Sequence, residues 1–108
     1  MPMKTVDAST LKHWIDKDEV LVIDVREPSE YASEHIAEAT LIPLGSMSMQ
    51  VLPKIKHGHK LVIHCRSGKR SQHACEQLLQ EEPSLEIYNL EDGILGWIAK
   101  GHPVITSS

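Results

Sequence analysis

Apolar residues follow two rhythms along this chain. Short unbroken apolar runs recur, and between them lie stretches where apolar residues return every three or four positions. Val20 to Ile23 and Leu61 to Ile63 are runs of the first kind, rich in β-branched residues and ending on the polar Asp24 and His64. Runs so short and apolar predict strands buried on both faces of a parallel sheet. Ala39 to Ile42 is a further run, stopped by Pro43, and Glu86 to Leu90 reads as a fourth strand. The second rhythm predicts helices. Asp7 is placed as an N-cap, and Ala8, Leu11, Trp14 and Ile15 then share one face. Ala74, Cys75, Leu78 and Leu79 form a stripe on a helix expected over 71–82, ended by Pro83. Pro28 suits a first helical turn, with a short helix through Tyr31 to Glu34. A short helix and loop are expected over Ser46 to Ile55, and Gly58 breaks the chain. Gly93 and Gly96 predict a turn-rich segment packed down by Trp97 and Ile98. Pro103, Val104 and Ile105 close the domain, with loose termini expected at Met1 to Met3 and Thr106 to Ser108.

Strands alternating with helices imply an α/β fold, a mostly parallel central sheet with helices on both faces. A chain of 108 residues, 41% apolar and 24% charged, suffices for one such core. The net charge of −4 gives no support to a nucleic-acid partner. No apolar run approaches the ~18 residues of a membrane span, and no leader is visible. With only two cysteines, Cys65 and Cys75, a disulfide framework is not expected, and a reduced cytoplasmic setting is.

The segment with chemistry in it is Leu61-Val-Ile-His-Cys65-Arg-Ser-Gly-Lys-Arg70-Ser71. A buried strand ends, a cysteine follows, and a tight loop enters a helix. Open α/β sheets place their sites at the carboxyl ends of strands. Backbone N–H groups of the loop and first helical turn, with the helix dipole, favour an anion at the sulfur. Arg66, Lys69 and Arg70 add positive charge, and Gly68 permits the bend. All of these favour thiolate over thiol, and the thiolate is the nucleophile.

Cys65-Arg-Ser-Gly-Lys-Arg70 resembles the active-site loop of rhodanese sulfurtransferases, Cys-Arg-x-Gly-x-Arg. Val22-Ile-Asp-Val-Arg-Glu-Pro-Ser-Glu-Tyr31, then His35-Ile36, resembles the family's first signature. Leu90-Glu-Asp-Gly-Ile-Leu-Gly-Trp97 and Gly101-His-Pro-Val104 resemble its closing stretch. Glu34 and Glu38 stand where the family usually has glycine. The resemblance implies one rhodanese-like domain over residues 4–105, needing no cofactor or metal. It implies that Cys65 takes sulfur from a small anionic donor such as thiosulfate, holds it as a persulfide, and yields it to a thiol or cyanide. Backbone N–H groups from Arg66 through Ser67, Gly68, Lys69 and Arg70 to Ser71 would hold the persulfide, and Arg66 and Arg70 would bind or steer the anion.

Asp24 and Arg26 follow a strand end on the same side, either bonding the loop or forming a structural salt bridge, with Glu27 in the same polar cluster. His35 is expected to pack and hydrogen-bond. His64, on a strand, should point away from its neighbour Cys65. His57, His59, His64 and Cys65 do not have the spacing of a structural zinc site. Cys75 lies in the apolar stripe, so a core role is expected rather than that of a resolving thiol. Two rival functions use similar features. A phosphatase or arsenate reductase also uses a strand–loop–helix cysteine, but its loop resembles Cys-x5-Arg, and here four residues separate Cys65 from Arg70. A rhodanese-like docking module would be favoured by a missing nucleophile, and Cys65 is present.

Overall fold

The computed structural model describes residues 3–107. In chain order the elements are β1 (Met3–Val6), α1 (Ala8–Asp16), β2 (Val20–Asp24), α2 (Pro28–Ser33), β3 (Glu34–His35) and β4 (Ala39–Leu41). A 3-10 turn at Leu44–Ser46 follows, then β5 (Lys60–His64), α3 (Lys69–Glu81), β6 (Ile87–Leu90), α4 (Gly93–Ala99) and β7 (Ile105–Thr106). Five strands form one sheet in the order β1-β6-β5-β2-β4, and each adjacent pair is parallel. β3 and β7 make a small antiparallel pair of their own.

Strand alternation divides the core in two. Ile23, Leu61, Ile63 and Ile87 face α3 and its Ala74, Cys75 and Leu78. Val22, Val62 and Leu90 face the other way, onto Leu11 of α1 and Ile94 and Trp97 of α4. The sheet is thus covered on both faces, which is why Val20 to Ile23 and Leu61 to Ile63 are unbroken apolar runs. No helix among the described residues is long and apolar enough to cross a membrane.

Several elements differ from the expectation. Met3 opens β1, an edge strand whose Lys4 and Thr5 are exposed, so its pattern is too polar to announce a strand. It is recruited by register with β6, Met3 opposite Ile87 and Val6 opposite Leu90. Thr106 pairs with Glu34 in β7 rather than trailing loose, while Met1, Pro2 and Ser108 lie outside the described residues. The segment from Gly93 is a helix, not a turn. Burial of Ile94 and Trp97 outweighs the helix penalty of its glycines. α2 begins at Pro28 and stops at Ser33, and Glu34 is extended at φ −162°, a backbone any residue adopts. A glycine is therefore not required there. Over Ser46 to Ile55 the chain forms only the end of the 3-10 turn and loops.

Candidate active site

The loop leaves β5, the middle strand of the sheet, and enters α3. Cys65 sits at that junction with 1% of its surface exposed. Its peptide planes are set from outside. The Ile94 N–H donates to the Cys65 carbonyl at 3.0 Å, and the Leu95 N–H donates to the Arg66 carbonyl at 3.2 Å. Donors at the start of α4, which have no partner within their own helix, are thus satisfied by the loop's carbonyls. A trans peptide points its N–H opposite its carbonyl, so the loop is left with N–H groups facing the sulfur. Gly68 N–H donates to Cys65 Sγ at 3.1 Å and Ser71 N–H at 3.4 Å. Gly68 has φ +112°, a conformation that favours glycine. A Cβ at Gly93 would lie 2.4 Å from the Arg66 carbonyl oxygen, so only glycine lets α4 come this close.

Asn89, on β6, holds the other side of the loop. Its Nδ2 donates to the Gly68 carbonyl at 3.0 Å, and its Oδ1 accepts the Ser71 hydroxyl. Ser71 Oγ lies 3.4 Å from Cys65 Sγ. Burial pushes the Cys65 thiol upward, but the hydrogen bonds that Ser71, Gly68 and Ser67 make at the sulfur outweigh it, and the net shift is downward.

The three cations of the loop are placed differently from one another. Arg66 and Lys69 are exposed. Arg70 is gripped by Glu30 of α2, with Nη1 to Oε1 at 2.7 Å and Nη2 to Oε2 at 2.9 Å. The hydrogen bonds found at the sulfur come from Gly68 and Ser71, while Arg70 senses a Cys65 thiolate only across space. The Arg70 bond holds Glu30 at a pKa of about 2.

Asp24 and Arg26 form a buried ion pair, with Arg26 Nη2 2.8 Å from Asp24 Oδ2. The same nitrogen donates to the Glu34 carbonyl at 2.7 Å, which ties the end of β2 to the start of β3. The side-chain hydrogen bonds of Arg26 run to Asp24 and to the Glu34 carbonyl. Glu27 stands apart, exposed, with its N–H donating to Glu30 at 2.9 Å. His64 is fully buried, with Nδ1 3.1 Å from the Cys65 carbonyl and Nε2 3.6 Å from Asp24. Burial holds its imidazole below the ordinary range, against the pull of Asp24. His35 stacks on Tyr31, and its Nδ1 lies 2.8 Å from the Tyr31 carbonyl. Cys75 is buried in the core, and that burial pushes its thiol up to about 12. Among the described residues no group of three or more His, Cys, Asp or Glu could hold a metal.

A cleft of about 260 Å³ opens between α2 and α4. Arg26, Glu30, Ser33 and Glu34 line one side, and Arg66, Ile94 and Leu95 the other. It meets the cysteine loop at Arg66.

This arrangement has known counterparts. The family model for the rhodanese-like domain matches residues 7–100. The chain belongs to the rhodanese-like domain family. It is 33% identical over 101 residues to a sulfurtransferase of Allochromatium vinosum, covering 93% of this chain and 92% of that one. It is 36% identical over 102 residues to an uncharacterized Synechocystis protein, covering 94% of this chain but 55% of that longer one. A rhodanese-related protein of Thermoplasma volcanium has a crystal structure that superposes with a TM-score of 0.78 at 31% identity, covering 94% and 97% of the two chains.

Sequence reasoning placed the rhodanese loop but missed what holds it. Asn89 carried one signal, a polar residue near the end of a buried strand. Glu30 carried none as the partner of Arg70, since the two are 40 positions apart.

Proposed function

We propose that this chain is a sulfurtransferase in which Cys65 carries a sulfane sulfur as a persulfide. The observation that supports it most is the set of N–H groups directed at Cys65 Sγ, with Gly68 at 3.1 Å. In the first step the Cys65 thiolate attacks the sulfane sulfur of thiosulfate or a similar anionic donor. The new S–S bond forms as the donor's S–S bond breaks, and sulfite leaves with the bonding pair. The loop donors then hold the negative charge of the persulfide, as an oxyanion hole holds an oxyanion. In the second step a thiol or cyanide attacks the outer sulfur, and Cys65 leaves as the thiolate those donors favour. Arg66, exposed and lining the cleft, steers the anion toward the loop. Arg70 does so less, because its guanidinium fork is occupied by Glu30. The loop is one residue shorter than Cys-x5-Arg, which suits a sulfur atom better than a phosphoryl group. Two free cysteines fit a reducing, cytoplasmic setting.

The test is thiocyanate formation from thiosulfate and cyanide, with an aryl phosphate assayed in parallel. The expected result is thiocyanate with ping-pong kinetics, lost in Cys65→Ser, and negligible phosphate release. Thiocyanate formation that persists in Cys65→Ser, or Cys65-dependent phosphatase turnover in its place, would overturn the reading.

A further inference from the structure

The partners of Ser71 fix the direction of its hydroxyl. Asn89 is 7% exposed and its amide orientation is fixed, because the Gly68 carbonyl 3.0 Å from Nδ2 can only accept. The opposite end, Oδ1, can then only accept, and it takes the Ser71 hydroxyl proton. A serine hydroxyl has one proton to give. Ser71 is fully buried, so water does not supply another donor. The Ser71 oxygen 3.4 Å from Cys65 Sγ therefore presents a lone pair to the sulfur.

We propose that Asn89 is a positioning residue that sets the direction of the Ser71 hydroxyl. It draws the proton onto its own carbonyl oxygen, so that Ser71 accepts from the Cys65 thiol and withholds a donor from the thiolate. The backbone N–H groups of Ser67, Gly68 and Ser71 carry the anion alone, and Asn89 tempers how acidic their combined pull makes Cys65. When the thiol ionises, its proton leaves to solvent and the Ser71 lone pair is left facing negative charge. Turning the hydroxyl toward the sulfur would relieve that contact at the cost of the Asn89 bond. The inference deepens the sulfurtransferase reading by naming what sets the nucleophile's charge. Its test reads a proton equilibrium, so it succeeds or fails independently of whether sulfur is transferred.

The experiment is a pH titration of the Cys65 thiolate by ultraviolet absorbance in a Cys75→Ala background, with the Cys65→Ser spectrum subtracted. Asn89→Ala frees the Ser71 proton to turn toward the sulfur. The midpoint is expected to fall by about one pH unit, the scale of one hydrogen bond to a charged group. Adding Ser71→Ala to Asn89→Ala should abolish that fall. A merely structural role for Asn89 moves the midpoint the other way, because a loosened loop holds the thiolate less well. A midpoint that rises or stays constant in Asn89→Ala overturns the proposal. If Asn89→Ala does not fold, Ser71→Ala alone decides. An unchanged or lower midpoint supports the proposal, and a higher one, showing that the hydroxyl donates to the thiolate, overturns it.

Discussion

At Cys65 two effects oppose each other. Burial favours the neutral thiol, and the loop's hydrogen-bond donors favour the thiolate and prevail. The residue identities made that outcome readable in advance, since a cysteine between a strand end and a helix start meets backbone N–H groups whatever side chains follow. The source of the effect was not readable. Three cations within five residues look like the cause, yet Arg66 and Lys69 project outward and Arg70 is taken up by Glu30. The Cys65 midpoint is expected to lie below the ~8.5 of a free thiol. Because the shift is downward, the reactive thiolate is present from lower pH than in a free cysteine. Arg66→Ala and Lys69→Ala are each expected to move the midpoint by no more than a few tenths of a unit, since exposed charges are screened. Alkylation rates against pH, again without Cys75, check this. A large upward shift in either variant would return the cations to the sulfur.

At the scale of elements, ion pairs brace the site from α2 and β2. Glu30 joins α2 to the first turn of α3, and its carboxyl is held at about 2 against an ordinary 4.5. The folded-state value is depressed, so the pair stabilises the fold above pH ~4.5 and loses that contribution as the pH falls toward 2. Both partners are about a third exposed, so the contribution is at most about 1 kcal/mol. Glu30→Gln should flatten that part of the stability–pH profile, measured by urea unfolding between those limits. The Asp24–Arg26 pair is a different case because both partners are almost wholly buried. Asp24→Ala leaves the Arg26 charge buried without a partner and should cost about 3–5 kcal/mol, read as a lower urea midpoint at an unchanged slope. A loss below about 1 kcal/mol would mean that the charge finds water on mutation. The strands that became visible in the sequence are those with an apolar run, the interior β2, β5 and β6 and the edge strand β4. β1 and β7 were missed because an edge strand needs a partner's register more than an apolar pattern, and α4 because its glycines disguise a helix that packing imposes.

For the molecule as a whole, apolar rhythm was sufficient to predict the α/β order and the covered sheet, because both follow from burial. Long-range polar contacts were not legible. Asn89 reaches Ser71 across 18 positions, and the start of α4 reaches back to Cys65, distances over which no periodicity operates. The result is a loop whose carbonyls are engaged from behind by α4 while its N–H groups converge on one sulfur. On the proposed chemistry this sulfur carries another. Intact mass spectrometry after incubation with thiosulfate and removal of the excess tests it most directly. The expected gain is one sulfur atom per chain, removed by cyanide or a reductant, kept in Cys75→Ala and absent in Cys65→Ser. An unchanged mass, or a sulfur that persists in Cys65→Ser, would contradict it.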